Sequence, residues 1–417
     1  MVIAVVSALV LSACTDGETE PGTSPSPSRS PTGVAFSPSE GIEQATPDPS
    51  APLDDLASGL NDAGFDLWRS RPADENMVFS PASIGHALLM ARAAADTPTA
   101  AAIDDAFDLS EGLGPHRAWN LAEATIADSA HTEDEIDVAI ADRIWPRKDV
   151  TPDQDWIDLL ASQHGADVEA MDFAGDPSGS REAINSWIGE QTEGLIPQLL
   201  PEGFIDGQTV LILTDAIYFA ARWQSPFGKY PEVTADFTRL DGSTVETDCL
   251  HELELSDLRG SVDGLAGVEI PYVGGDFAML LLVPEEGRFQ EVRDRLSQDL
   301  LDEVDSTFTT GPYELFMPGW ETKTTIDLIP WLSGLGIAPG SFPAISPAAF
   351  LDGGIHGADI TVDEWGTVAA AATALAFDES GPPQPEFTLR ADRPFFYLIR
   401  HRPSGLILFA GQVTDPS

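Results

Sequence analysis

From Leu53 onward, apolar residues recur at helical spacing: Leu53, Leu56, Leu60 and Leu67, with Trp68 beside them, predict an amphipathic helix at the head of a folded region. Ser80-Pro81 supplies an N-cap followed by proline at the first helical position, and Ile84, Ala87, Leu88 and Ala91 line one face of the helix behind it. Thr151-Pro152-Asp153 repeats that start signal ahead of the buried stripe Trp156, Leu159 and Leu160, and Gly165 is placed to end this helix in a left-handed turn. A further helix is predicted over Arg181 to Glu193.

The period then changes. Thr209 to Ala220 is a β-branched and aromatic run long enough for a central strand buried on both faces. Val268 to Pro271, Phe277 to Val283, Glu314 to Met317, Phe395 to Arg400 and Leu406 to Val413 also read as strands. Helices in the first half and strands in the second indicate an α+β fold rather than regular alternation, and no internal repeat is present.

Before Leu53 the pattern differs. Thr15 to Pro52 is rich in Pro, Ser, Thr and Gly, as in Ser24-Pro25-Ser26-Pro27-Ser28, with too few apolar residues to offset ordering entropy. Residues 14–52 are therefore expected to form a disordered tether, leaving 53–417 as the folded domain. Met1 to Ala13 is an apolar run too short to span a bilayer as a helix, and it ends in Leu11-Ser12-Ala13-Cys14. That ending resembles the lipobox of prokaryotic lipoproteins, whose signal is cut before a cysteine that then receives lipid. The resemblance implies a signal peptide over 1–13, export, and lipidation at Cys14, which would anchor the domain at the cell surface. An ordinary signal peptide with a chance cysteine, and a free extracellular protein, is the other reading; no Lys or Arg precedes the run, as a signal normally requires, a departure that a misplaced start codon would account for.

Composition narrows the function classes. The 417 residues suffice for one large domain. Sixty-nine acidic against 21 basic residues give a formal net charge of -48, a field that repels phosphate backbones and excludes nucleic-acid binding through a basic face. Membrane contact is left to the lipid alone. Such acidity suits salty surroundings, where counterions screen self-repulsion over roughly 8 Å or less. The two cysteines, Cys14 and Cys249, cannot build a disulfide framework, and the seven histidines are scattered, so neither a metal site nor a cofactor is expected. The absence of G-x-S-x-G and of any locally supported Ser/His/Asp grouping argues against a hydrolase.

Several segments, in order along the domain, resemble the serpin family. Asn76-Met77-Val78-Phe79-Ser80-Pro81-Ala82-Ser83-Ile84 resembles the family's N-x-x-F-S-P-x-S-I helix entry. Ile184-Asn185-Ser186-Trp187-Ile188, with Thr192, Gly194 and Ile196, resembles its I-N-x-W-V…T-x-G-x-I helix end. Thr214-Asp215-Ala216-Ile217-Tyr218-Phe219, with Trp223 and Pro226-Phe227, resembles the T-N-A-I-Y-F…W…P-F strand. Asp392-Arg393-Pro394-Phe395 and Gly405 to Gly411 resemble the closing strands. The resemblance implies the serpin fold: helices of the first half packed on a large central sheet, further sheets, and an exposed reactive-centre loop at about 364–390.

The function-bearing stretch is Glu364-Trp365-Gly366-Thr367-Val368-Ala369-Ala370-Ala371-Ala372-Thr373, which resembles the inhibitory hinge E-x-G-T-x-A-A-A-x-T. By propensity alone it would read as an alanine-rich helix. If the segment inserts as a strand, Thr367, Ala369, Ala371 and Thr373 turn inward, all small and uncharged as a close-packed site demands. Gly366 supplies backbone freedom where the loop bends away. Ser380 to Pro385 has no helix or strand period and should be extended.

In the family a protease attacks the loop, and the cut loop inserts into the sheet with the acyl-enzyme attached. The implied partner is a serine protease held covalently by a monomeric inhibitor, with cysteine proteases as a further class of target. Family spacing puts the scissile bond at Ser380-Gly381, with Glu379-Ser380 one residue away as the alternative. Phe377 and Leu375 upstream, and no Lys or Arg from Glu364 to Leu389, favour subtilisin-like or elastase-like targets over trypsin-like ones. Trp365 and Val368 depart from the usual charged residue and glutamate; Trp365 would pack under the sheet top or meet a partner. A non-inhibitory serpin acting as a binding module is the competing reading. The resemblance further assigns Ser80, Ser83, Asp215 and His356 to the shutter beneath the parting strands, with Asp215 where asparagine is usual. Asp215 either accepts the same hydrogen bonds as that asparagine or pairs with His356, which would raise the histidine pKa.

Overall fold

The computed structural model describes residues 42–130, 136–227, 233–255, 258–367 and 385–417. Six helices open the domain: α1 (Leu53–Arg69), α2 (Pro81–Arg92), α3 (Thr97–Ala106), α4 (Gly114–Ser129), α5 (Gln154–His164) and α6 (Pro177–Gln191). In α1 the Leu56, Leu60, Ala63 and Leu67 stripe is buried, while Asp54 and Asp55 in its first turn and Arg69 in its last suit the helix dipole. Ser80 caps α2 by accepting from the Ser83 backbone N–H at 3.0 Å. Ten of the twelve residues of α2 are buried, as a helix enclosed by other elements requires. The close crossing of α1 and α2 depends on glycine, since a Cβ at Gly64 would lie 2.7 Å from Cβ of the rigid Pro81 ring.

Asp153, rather than Thr151, caps α5, and Gly165 ends it at φ 60° as expected. Helix α6 begins four residues before the predicted Arg181, because Asp176-Pro177 is itself a cap-and-proline signal and Asp176 accepts from Gly179 N–H at 2.9 Å. Residues assigned to the tether also touch the domain: Ala45 N–H donates to Ser162 O at 2.7 Å and Gln44 Nε2 to Glu123 Oε2 at 3.1 Å. Proline and serine content conceals such docking, which rests on a few hydrogen bonds rather than on apolar burial.

Three bodies of sheet complete the fold. One is seven-stranded, in the order Met77–Phe79, Leu406–Val413, Phe395–His401, Phe277–Pro284, Leu265–Pro271, Leu258–Val262, Thr309–Thr310. A second places Phe387–Arg390, Tyr313–Pro318, Thr244–Leu255 and Val233–Thr238 side by side. The third, central sheet comes in two parts. Asp167–Val168, Ile136–Pro146 and Leu211–Arg222 form one, and Trp320–Asp327 with Ile355–Val362 the other. The predicted strand at 209–220 is thus real but shifted to Leu211–Arg222, and its first half is only partly buried. The reason lies in what its edge faces.

Candidate functional site: a parted sheet and its hinge

Among the described residues, no ladder joins Leu211–Arg222 to Ile355–Val362. Only at the top is the interval bridged. Gly366 and Thr367 pair antiparallel with Arg222 and Ala221, and Gly366 also bridges to Asp363. Lower down, between the two strands and α2, lies a cavity of about 160 Å³. Leu88, Leu211, Asp215, Ile355 and His356 are among the residues that line it.

The hinge entrance is tightly specified. Gly366 has φ 141°, and a Cβ there would stand 2.3 Å from Ala221 O, so the backbones approach as only glycine permits. The turn before it is pinned from two sides. Trp223 N–H donates to Trp365 O at 3.0 Å and Phe227 N–H to Glu364 O at 2.8 Å, while Trp223 Nε1 donates to Asp363 O at 3.0 Å. Thr367 is fully buried with its hydroxyl 3.5 Å from Tyr272 OH, and Tyr272 stacks on Trp223 at 4.5 Å. Thr367 therefore faces inward, the register that alternation assigns. Trp365 is partly buried, its indole N–H donating to Glu364 Oε1 at 3.0 Å. Ala369, Ala370, Ala371, Ala372, Thr373, Glu379, Ser380 and Gly381 lie outside the described residues, as does Cys14.

Below the hinge the structure brings Ser80, Ser83, Asp215 and His356 together, with Asp215 turned to Ser83 and His86 rather than to His356. His356 Nε2 accepts from Ser80 N–H at 3.0 Å, and burial pushes its pKa down to about 4 against the pull of Asp215. His356 is thus a neutral acceptor, and of the two readings of Asp215 the ion pair with His356 is not formed. Asp215 instead accepts from the Ser83 hydroxyl through one oxygen and meets His86 Nδ1 at 2.6 Å through the other. Asp142, on the neighbouring strand, lies 3.3 Å from the same nitrogen. Burial opposes a charge on His86, yet Asp142 and Asp215 together push its pKa up to about 10. Behind it, His86 Nε2 meets His164 Nδ1 at 2.8 Å, and His164 Nε2 meets His116 Nδ1 at 2.9 Å. Burial keeps both outer rings neutral, His116 at about 3 and His164 well below its ordinary value.

Sequence reasoning missed His86 and Asp142. Ser80, Ser83 and His86 stand three apart, so one polar face of α2 was legible in the spacing. Nothing local announced that Asp142 and Asp215 would face it from adjacent strands.

A buried hinge seated at the mouth of an unladdered interval defines a protein whose central sheet has room for one more strand. The family model Serpin (serine protease inhibitor) matches residues 58–416, and the chain belongs to the serpin family. Antithrombin-III of Mus musculus is 26% identical over 368 residues, covering 84% of this chain and 78% of its own length. Leukocyte elastase inhibitor A of Rattus norvegicus is 29% identical over 365 residues, covering 82% and 93%. Tengpin, a thermophilic serpin solved in its native state, shares the fold with a TM-score of 0.78 at 23% identity, covering 89% of this chain and 97% of its own. The matched family is described as one of serine protease inhibitors, and the elastase inhibitor among the relatives is named as one.

Proposed function

We propose that this protein inhibits serine proteases as a suicide substrate, with Ser380-Gly381 as the reactive bond. The protease serine oxygen attacks the Ser380 carbonyl carbon, the C–N bond to Gly381 breaks, and the protease histidine hands its proton to the departing amine. Before water hydrolyses the resulting ester, the freed segment follows Gly366-Thr367 into the sheet and draws the protease with it. Distortion of the protease oxyanion hole then stops deacylation. The observation that carries this reading is the seating of Gly366 and Thr367 at the head of the interval, with an apolar cavity beneath them.

The energetics are adequate. About ten residues gaining strand hydrogen bonds at roughly 1 kcal/mol each supply on the order of 10 kcal/mol. That rivals the stability of an ordinary domain, so the uncut form is held by kinetics. Leu375 and Phe377 upstream of a small residue at the cut fit subtilisin-like or elastase-like pockets. We further place the monomeric domain outside the cell, on a lipid at Cys14.

Incubation with subtilisin-like, elastase-like, trypsin-like and papain-like proteases tests the proposal. A complex that survives denaturing electrophoresis is expected with the first two, and the released C-terminal peptide should begin at Gly381. If no protease gives a covalent complex, and loop cleavage brings no rise in melting temperature, the binding-module reading replaces this one.

A further inference from the structure

Asp142 and Asp215 are directly opposed in the antiparallel ladder, and both side chains are almost wholly buried, at 4% and 2% exposure. Like charges directly across a ladder destabilise it unless something stands between them. His86 from α2 presents Nδ1 to both, and the three donor atoms lie within 4.8 Å of one another. Asp142 Oδ1 is buried with no well-formed hydrogen bond, only the long 3.3 Å ion-pair contact to His86 Nδ1. A buried carboxylate oxygen held by one long contact is costly, and here it points into a ring of ligand atoms supplied by three separate elements.

We propose that His86, Asp142 and Asp215 form a buried site for one divalent transition metal of the zinc class, entered through the parted sheet. Charge balances: two carboxylates and a neutral imidazole around a divalent cation sum to zero. One nitrogen and two carboxylate oxygens make a borderline ligand set, which suits zinc better than calcium or magnesium. The surroundings are those of a prepared site. Ser83 donates to the second oxygen of Asp215, fixing that carboxylate. His86 Nε2–H can donate to His164 Nδ1, and His164 Nε2–H to His116 Nδ1, so the proton a cation displaces from His86 is the one on Nδ1, between the carboxylates. Trp119 stacks on the His86 ring at 3.8 Å and holds its plane. The 3.3 Å from His86 Nδ1 to Asp142 Oδ1 already equals a tetrahedral ligand edge of about 3.3 Å, set by zinc–ligand bonds near 2.0 Å. The 2.6 Å contact to Asp215 must open to about that same length as the cation enters. Asp215 also lines the cavity between the parted strands, so an entry path and room for a water ligand lie on its side.

The metal would fasten Leu211–Arg222, the strand bordering the interval, both to its neighbour and to α2. Titration of the chelator-stripped full chain with zinc chloride tests this by calorimetry, thermal melting and cobalt substitution. Expected are one zinc per chain and a melting temperature that climbs with free zinc. The cobalt form should show the visible bands of a tetrahedral nitrogen–oxygen site. Asp142→Asn should weaken zinc binding at least 100-fold. The inference is overturned if the wild type takes up no zinc at tens of micromolar, if Asp142→Asn binds it equally well, or if cobalt gives a thiolate charge-transfer band. The cobalt spectrum is read on the wild type and decides the matter even if the variant does not fold.

Discussion

His401 shows how a single buried ring sets an acid limit on this fold. Its two nitrogens lie 2.8 Å from Ser404 Oγ and 3.0 Å from Ser129 Oγ, and its face leans on Phe277 at 4.7 Å. Burial pushes its pKa down to about 4, with Asp276 pulling weakly the other way. The unfolded chain, near 6.5, takes up the proton first. A depressed folded pKa gives stability that is present above about 6.5 and lost as pH falls towards the folded value. The difference corresponds to about 3 kcal/mol from this group. His401→Gln, which keeps a donor and an acceptor between the two serines, should flatten the stability curve between pH 6.5 and 4. Denaturant unfolding at several pH values measures it, and an unchanged slope would count against the assignment. His356, neutral for the same physical reason, adds an acid limb of the same sign.

At the scale of elements, legibility followed locality. Strands buried from end to end, such as Phe277–Pro284 and Leu406–Val413, announced themselves as apolar runs. Ile136–Pro146 did not, because Asp142 interrupts the apolar face of Ile136, Val138, Ile140 and Ile144, where it meets His86 from another element. Spacing placed Thr367 on the inward face, but that it already occupies a strand position depends on the close approach of Gly366 to Ala221, which no local pattern carries. The same seating makes Thr367 decisive. Thr367→Arg would drive a long cation into a fully buried position, where desolvation costs several kcal/mol. Insertion should slow by orders of magnitude while the cut at Ser380-Gly381 continues. The variant should therefore be cleaved and released as a substrate where the wild type is retained as a complex. Equal complex yields on a denaturing gel would show that insertion does not begin at this residue.

At the scale of the whole molecule, the proposed lipid anchor would have to hold a strongly acidic domain at a membrane. With a net charge of -48, an anionic lipid surface repels it, so electrostatic adhesion is excluded. Among the described residues no helix is long and apolar enough to cross a bilayer. The attachment we propose is covalent lipid at Cys14, which a proline- and serine-rich stretch joins to α1, and the last residues of that stretch dock beside α4 and α5. A single acyl chain holds a protein only marginally, whereas two or more anchor it stably, and a lipidated N-terminal cysteine can carry chains on both its sulfur and its amine. Expressed in a bacterium that processes lipoproteins, the wild type should enter the detergent phase on phase separation, and Cys14→Ala should stay in the aqueous phase. Cys249 is buried, with its thiol pKa raised by burial, so it offers no competing site for modification. Inhibition by the two forms in detergent should be equal, since the hinge and the parted sheet lie in the folded domain and not in the tether. If both forms partition alike, the anchor is lost and the inhibitor is a freely secreted one.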